Sequence, residues 1–114
     1  MITILGTIPS KSNGYKFGRK NMYKSTPLKE YEESFAKQLL QYPKMKMIEG
    51  YFSIEIVVYY ESRRADLDGC FKILFDSLQK NEIIKNDRHC QKIVAERRID
   101  KLNPRVEFLL TELC

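Results

Sequence analysis

Several things are scarce in this 114-residue chain, and each scarcity removes a class of protein. With 5 glycines and 4 prolines and no internal repeat, it is neither a disordered nor a low-complexity segment. Its three cysteines, Cys70, Cys90 and Cys114, are odd in number and lack CxxC spacing. They indicate neither a disulfide framework nor a zinc site, and they read as reduced thiols, with Cys70 on the apolar face of a helix. His89 is the only histidine, and with Cys90 it offers too few ligands for zinc. Met1-Ile2-Thr3-Ile4-Leu5 is too short and too uncharged for a signal peptide, and the longest apolar run, Ile54 to Tyr60, is interrupted by Glu55. A cytoplasmic protein is expected.

One sign of charge is also missing locally. The first 29 residues hold no Asp or Glu, yet they carry Lys11, Lys16, Arg19, Lys20, Lys24 and Lys29. Overall the chain is 43% hydrophobic and 31% charged with a net charge of +5, and its length fits one globular domain over residues 1–114. A basic amino-terminal quarter suits a polyanion, because lysine and arginine contacts to phosphate release condensed counterions. The plainer reading of that charge is a solvated face that aids solubility.

The pattern along the chain predicts an α+β fold, a small mixed sheet with two packed helices in the order βαβαββ. Ile2 to Ile8 reads as a strand closed by Pro9. Ser10 to Ser25 has neither period and reads as a long basic loop, in which Tyr15, Phe17 and Tyr23 interleave with the cations, a mixture suited to stacking on bases while phosphates are held. Thr26-Pro27 signals a helix start, and Leu28, Tyr31, Phe35, Leu39 and Tyr42 follow at helical spacing. Tyr51 to Tyr60 alternates as a central strand. A second helix over Asp66 to Gln79 carries the apolar stripe Leu67, Cys70, Phe71, Leu74 and Leu78, with Asp68, Lys72, Asp76 and Gln79 opposite. Cys90 to Ile99 and Arg105 to Thr111 read as two strands joined by a turn at Asn103-Pro104.

The most informative residues are Asp66-Leu67-Asp68, with Lys72 four residues beyond and Asp87 nineteen beyond. Hydrolysis of a phosphodiester requires an activated water and neutralisation of phosphate charge, and Mg²⁺ meets both needs. Mg²⁺ prefers a few carboxylate oxygens and keeps several waters. Asp66 and Asp68 project near a helix start that the loop bearing Asp87 can meet, Lys72 can neutralise developing charge, and Arg63 and Arg64 add a basic rim for DNA. The competing reading is purely structural: aspartates at an N-cap and first turn suit the helix dipole, and Asp68 with Lys72 is an ordinary i,i+4 ion pair. On that reading the chain is a non-catalytic DNA-binding module. Gly69 favours the first reading, since a glycine inside a helix start is tolerated where something approaches closely. Asp76, two turns along, reads as a surface residue.

The run Arg63-Arg64-Ala65-Asp66-Leu67-Asp68-Gly69-Cys70-Phe71-Lys72-Ile73-Leu74-Phe75-Asp76-Ser77-Leu78 resembles the signature of the RusA family of Holliday junction resolvases. The loop Ile83-Ile84-Lys85-Asn86-Asp87 and the segment Pro9-Ser10-Lys11-Ser12-Asn13 resemble further parts of it, so the likeness covers nearly the whole chain. The resemblance implies a homodimeric, Mg²⁺-dependent endonuclease for four-way DNA junctions in recombination and repair, often encoded by phages and prophages, with Mn²⁺ able to stand in. It makes Asp66, Asp68 and Asp87 the metal-binding catalytic carboxylates and Lys72 the catalytic lysine, while the basic charge itself marks Lys11, Lys16, Arg19, Lys20, Lys24, Arg63 and Arg64 as the expected DNA contacts. Gly69 stands where the family usually has asparagine, Asn86 replaces the first of an acidic pair, and His89-Cys90 replaces glutamine and an aliphatic residue. These departures bear on fine positioning and substrate preference.

Overall fold

Phe52, Ile54, Ile56, Val58 and Tyr60 alternate with Ser53, Glu55, Val57 and Tyr59, which gives a strand with one apolar face. The structure, a computed structural model, describes residues 1–10, 15–17 and 22–113, with 15–17 and 22–24 as backbone only. The elements follow in chain order: β1 (Ile2–Leu5), β2 (Tyr15–Phe17), β3 (Met22–Lys24), α1 (Thr26–Leu39), β4 (Phe52–Tyr60), α2 (Phe71–Lys80), β5 (Cys90–Ile99) and β6 (Arg105–Glu112). Short 3-10 turns at Leu67–Cys70 and Asp87–His89 lead into and out of the α2 crossover.

The main sheet has the order β1-β6-β4-β5. β4 is central, as its alternation predicts: it pairs antiparallel with β6, with Ile56 opposite Phe108, and parallel with β5, with Ile56 opposite Ala95. The alternate residues of β4 from Phe52 to Tyr60 are buried with Leu28, Tyr31 and Phe35 of α1 and Ile73, Leu74 and Leu78 of α2. Both helices therefore cover one face of the sheet. The Phe35 and Phe108 rings stack with centroids 6.3 Å apart and planes 5° from parallel. Cys70 is fully buried in this core, and burial pushes its thiol pKa up, in keeping with an inert thiol.

Several expectations need correction. β1 ends at Leu5 rather than Ile8, because Gly6 takes φ +110° and its N–H bonds the Pro104 carbonyl at 2.9 Å. The helix cap is Ser25, one residue before Thr26, and its hydroxyl accepts from the Leu28 N–H at 3.3 Å. The segment read as a loop from Ser10 to Ser25 contains a separate antiparallel ribbon, β2 with β3, in which Tyr15 pairs with Lys24. Three-residue strands are too short to declare themselves by period. Observed order along the chain is thus β1β2β3α1β4α2β5β6. The last two strands are consecutive but not neighbours, since β4 lies between them. Arg105 ties the crossing together: it bonds Asp100 at 2.9 Å and Glu107 at 3.2 Å, and it lies 3.7 Å from the centroid of the Tyr59 ring.

Truncating the stacked ring tests this core. Phe108→Ala is expected to lower unfolding free energy by about 3–5 kcal/mol, read as a reduced urea midpoint at an unchanged denaturant slope.

Candidate active site

The Asp66–Cys70 segment lies where β4 delivers the chain toward α2, and three contacts fix it. The Tyr60 hydroxyl donates to the Asp66 carbonyl at 3.0 Å. From β5, Arg97 donates to the carbonyls of Ala65 at 2.8 Å and Arg63 at 3.3 Å. Ser10 is the third, its Cβ 3.3 Å from where a side chain on Gly69 would begin. The close approach expected of Gly69 is therefore real, and it comes from the residue at which the basic amino-terminal segment starts. The turn is 3-10 before it becomes α-helical, so the helix proper begins at Phe71 rather than Asp66.

That geometry removes two parts of the structural account of the aspartates, the capping bond and the pair with Lys72. Asp66 stands at the N-cap of the turn but makes no side-chain capping bond. Lys72 pairs with Asp76 at 3.1 Å, not with Asp68. Asp66 and Asp68 are both exposed, and neither carboxylate takes a hydrogen bond or ion pair from the described residues. The Lys72–Asp76 pair joins two partly exposed side chains, 47% and 28% accessible, and such a pair is worth well under 1 kcal/mol. Lys72 is held only loosely, and Asp76, read from sequence as a bystander, is what holds it.

Asp87 lies elsewhere. Its N–H donates to the Gln79 side chain at 2.9 Å, which anchors it beside the last turn of α2. Asn86, where the family's first acidic residue would stand, instead accepts from the Arg88 N–H at 3.0 Å and caps the short Asp87–His89 turn. Asp66 and Asp68 precede the helix and Asp87 follows it, so roughly 15 Å of helix axis separates them at 1.5 Å per residue. Within one chain the three carboxylates are not brought together. Among the described residues no group of three or more His, Cys, Asp or Glu side chains is placed to hold a metal ion.

Of the cations read as DNA contacts, Arg63 and Arg64 are exposed next to Asp66. Lys16 and Lys24 lie on the β2–β3 ribbon, and Lys11, Arg19 and Lys20 lie outside the described residues. The model of the family described as endodeoxyribonuclease RusA matches residues 7–110. The chain belongs to the RusA endodeoxyribonuclease family. Membership carries the nuclease class with it, and the match spans both the Asp66–Lys72 turn and Asp87. No curated protein matches the chain. Among the described residues no helix is long and apolar enough to cross a membrane.

Two positioning groups were not read from sequence, Gln79 and Arg97. Gln79 was noted only as part of a polar helix face, and nothing in the alternation of β5 distinguishes Arg97 from its neighbours. Gln79→Ala is expected to cost about 1 kcal/mol and to speed hydrogen exchange at the Asp87 amide roughly five-fold, measured by amide exchange in the native state.

Proposed function

We propose that this protein is a Mg²⁺-dependent resolvase of four-way DNA junctions that acts as a homodimer in DNA recombination and repair. What carries the reading is the pair Asp66 and Asp68, two exposed carboxylates without partners among the described residues, one turn from a loosely held lysine in a RusA-family chain. Carboxylate oxygens are the donors a hard divalent cation takes. Two on one exposed turn fit such an ion, with water and substrate phosphate completing its shell.

Asp66 and Asp68 would hold the cation, and Asp87 would supply the third carboxylate. Because Asp87 lies at the far end of α2 in its own chain, the third ligand comes from a second copy, which makes the site dependent on dimerisation. When bound, Mg²⁺ supplies charge neutralisation at the scissile phosphate and a lower pKa for the attacking water. Lys72 leaves Asp76 for a phosphate oxygen and stabilises the charge that develops there. Arg97 and the Tyr60 hydroxyl keep the Asp66 backbone in place while DNA is gripped by Arg63, Arg64 and the basic residues between Lys11 and Lys24, through charge and shape rather than base edges. A twofold dimer presents two such sites to symmetry-related strands, as paired cuts require.

The direct test uses a synthetic four-way junction and a matched linear duplex with Mg²⁺ or Mn²⁺. The junction should be cut and the duplex spared. Asp66→Asn, Asp68→Asn and Asp87→Asn should each lose at least a hundred-fold in rate while binding the junction, and Lys72→Ala should lose about a hundred-fold. A parent protein that cuts nothing with either metal would refute the enzyme and leave a DNA-binding module. Shared sites add a second expectation: mixed and re-equilibrated Asp66→Asn and Asp87→Asn subunits should regain up to roughly a quarter of parental activity, because half the dimers then contain one intact composite site. No recovery would place all three carboxylates in one chain.

A further inference from the structure

The two edges of the main sheet are treated differently. β1 is four residues long, and its free side is closed by side chains from the end of α1 and just beyond it. Tyr42 Oη accepts from the Thr3 N–H at 2.9 Å and donates to the Thr3 carbonyl at 3.2 Å. Gln38 does the same for Leu5 at 2.7 and 2.9 Å. β5 is ten residues long, pairs only with β4, and receives no such bond from another element among the described residues. Its side chains are also left uncovered. Ile93 and Ile99 are each 40% exposed, although their neighbours on β4, Ile54 and Tyr60, are buried, and on the other face Val94, beside the exposed Glu55, is 51% exposed. Of β5 only Cys90 and Ala95 pack against the core, and both only in part. A long, uncapped edge bearing apolar side chains is a template for another strand.

We propose that β5 is the dimer surface, pairing antiparallel with β5 of a second copy about a twofold axis through Val94, so that two four-stranded sheets become one of eight strands. This rests on the homodimeric reading above, and it specifies the surface and register that the reading leaves open. The charges on β5 select the register. With Val94 opposite its own copy, Lys92 faces the partner's Glu96 twice, and Ile93 faces Ala95. Centring on Ala95 would set Lys92 against Arg98 and Ile93 against Arg97. Centring on Glu96 would oppose two glutamates, and centring on Ile93 would leave Lys92 facing Val94. Opposite charges directly across a pair are favourable and like charges unfavourable. Among the registers centred on residues 93 to 96, the residues that blunt this edge toward other strands complement one another in this one alone, with Glu96, which also pairs with Arg98 of its own strand at 2.7 Å, shared between the two cations.

The same pairing bears on the carboxylates. Antiparallel strands set the start of one β5 beside the end of the other. Asp87 lies three residues before β5 begins, and the Ala65–Asp66 backbone is tied to Arg97 near its end. The partner's Asp87 thus comes to the Asp66–Asp68 turn. A twofold axis perpendicular to the sheet keeps both helix layers, and with them both turns, on the same side.

The register is tested by cross-linking in full-length protein with Cys90 and Cys114 changed to serine. Val94→Cys should oxidise to a covalent dimer, since antiparallel partners bring Cα atoms to within disulfide reach, whereas Glu96→Cys should not. In sedimentation equilibrium Glu96→Lys should raise the dimer dissociation constant at least ten-fold, and Lys92→Glu combined with Glu96→Lys should restore it. A monomeric parent, a dimer indifferent to Glu96→Lys, or a Val94→Cys protein that stays uncross-linked would overturn the proposal. None of these readouts needs cleavage. An inactive protein that cross-links at Val94 would refute the nuclease and keep the surface, and an active one that does not would do the reverse.

Discussion

Parallel pairing of β4 with β5 is the constraint on which the rest of this molecule hangs. Two parallel neighbours cannot be joined by a tight turn, so the chain must leave the end of β4, return along the sheet and begin again at the start of β5. α2 is that return. Its apolar side, Ile73, Leu74 and Leu78, is buried against the sheet, which turns the Lys72, Asp76 and Gln79 side outward. The two polar turns that flank the crossover are therefore fixed by sheet topology at opposite ends of one helix. The separation of Asp66 and Asp68 from Asp87 is a consequence of strand direction, not of loop disposition.

Being bonded on both sides also makes β4 the register standard. Its parallel ladder runs from Ser53 opposite Lys92 to Tyr60 opposite Ile99, and its antiparallel one from Phe52 opposite Glu112 to Tyr59 opposite Arg105. A slip of one residue would turn its apolar residues from Phe52 to Tyr60 out of the core. Where the chain crosses over the end of β4 to start β6, Arg105 binds Asp100 and Glu107 and covers Tyr59. The Arg105 guanidinium holds the Asp100 carboxyl below its ordinary value, although in an exposed turn this contributes geometry more than stability.

Much of this was legible in the sequence. The alternation of β4 and the stripe of α2 follow from periods of 2 and 3.6, because burial on one face leaves its mark residue by residue; β5 also spans the residues read as a strand, although only Cys90 and Ala95 in it are even partly buried. Asp66, Asp68, Lys72 and Asp87 stood out by type and spacing, and the resemblance they carry agrees with the family to which the chain belongs. Other features left no such mark. Neighbour relations in a sheet are not encoded in any one strand, so the insertion of β4 between β5 and β6, and with it the distance from Asp87 to Asp66, could not be read from spacing. Local pairing was equally hidden: Lys72 has carboxylates four residues away on both sides, and only the 3-10 opening of the turn decides for Asp76. Arg97 and Gln79 act through backbone groups, which no pattern of side chains announces.

The contact between Ser10 and Gly69 links two positions far apart in the chain. A β-carbon at 69 would press on Ser10 at 3.3 Å, so the residue at 69 determines where the basic amino-terminal segment can leave the body of the protein. A larger side chain there would shift that point of departure relative to Asp68. Position 69 thereby sets the spacing between Ser10 and the turn that carries Asp66 and Asp68, and it does so without bearing a charge itself.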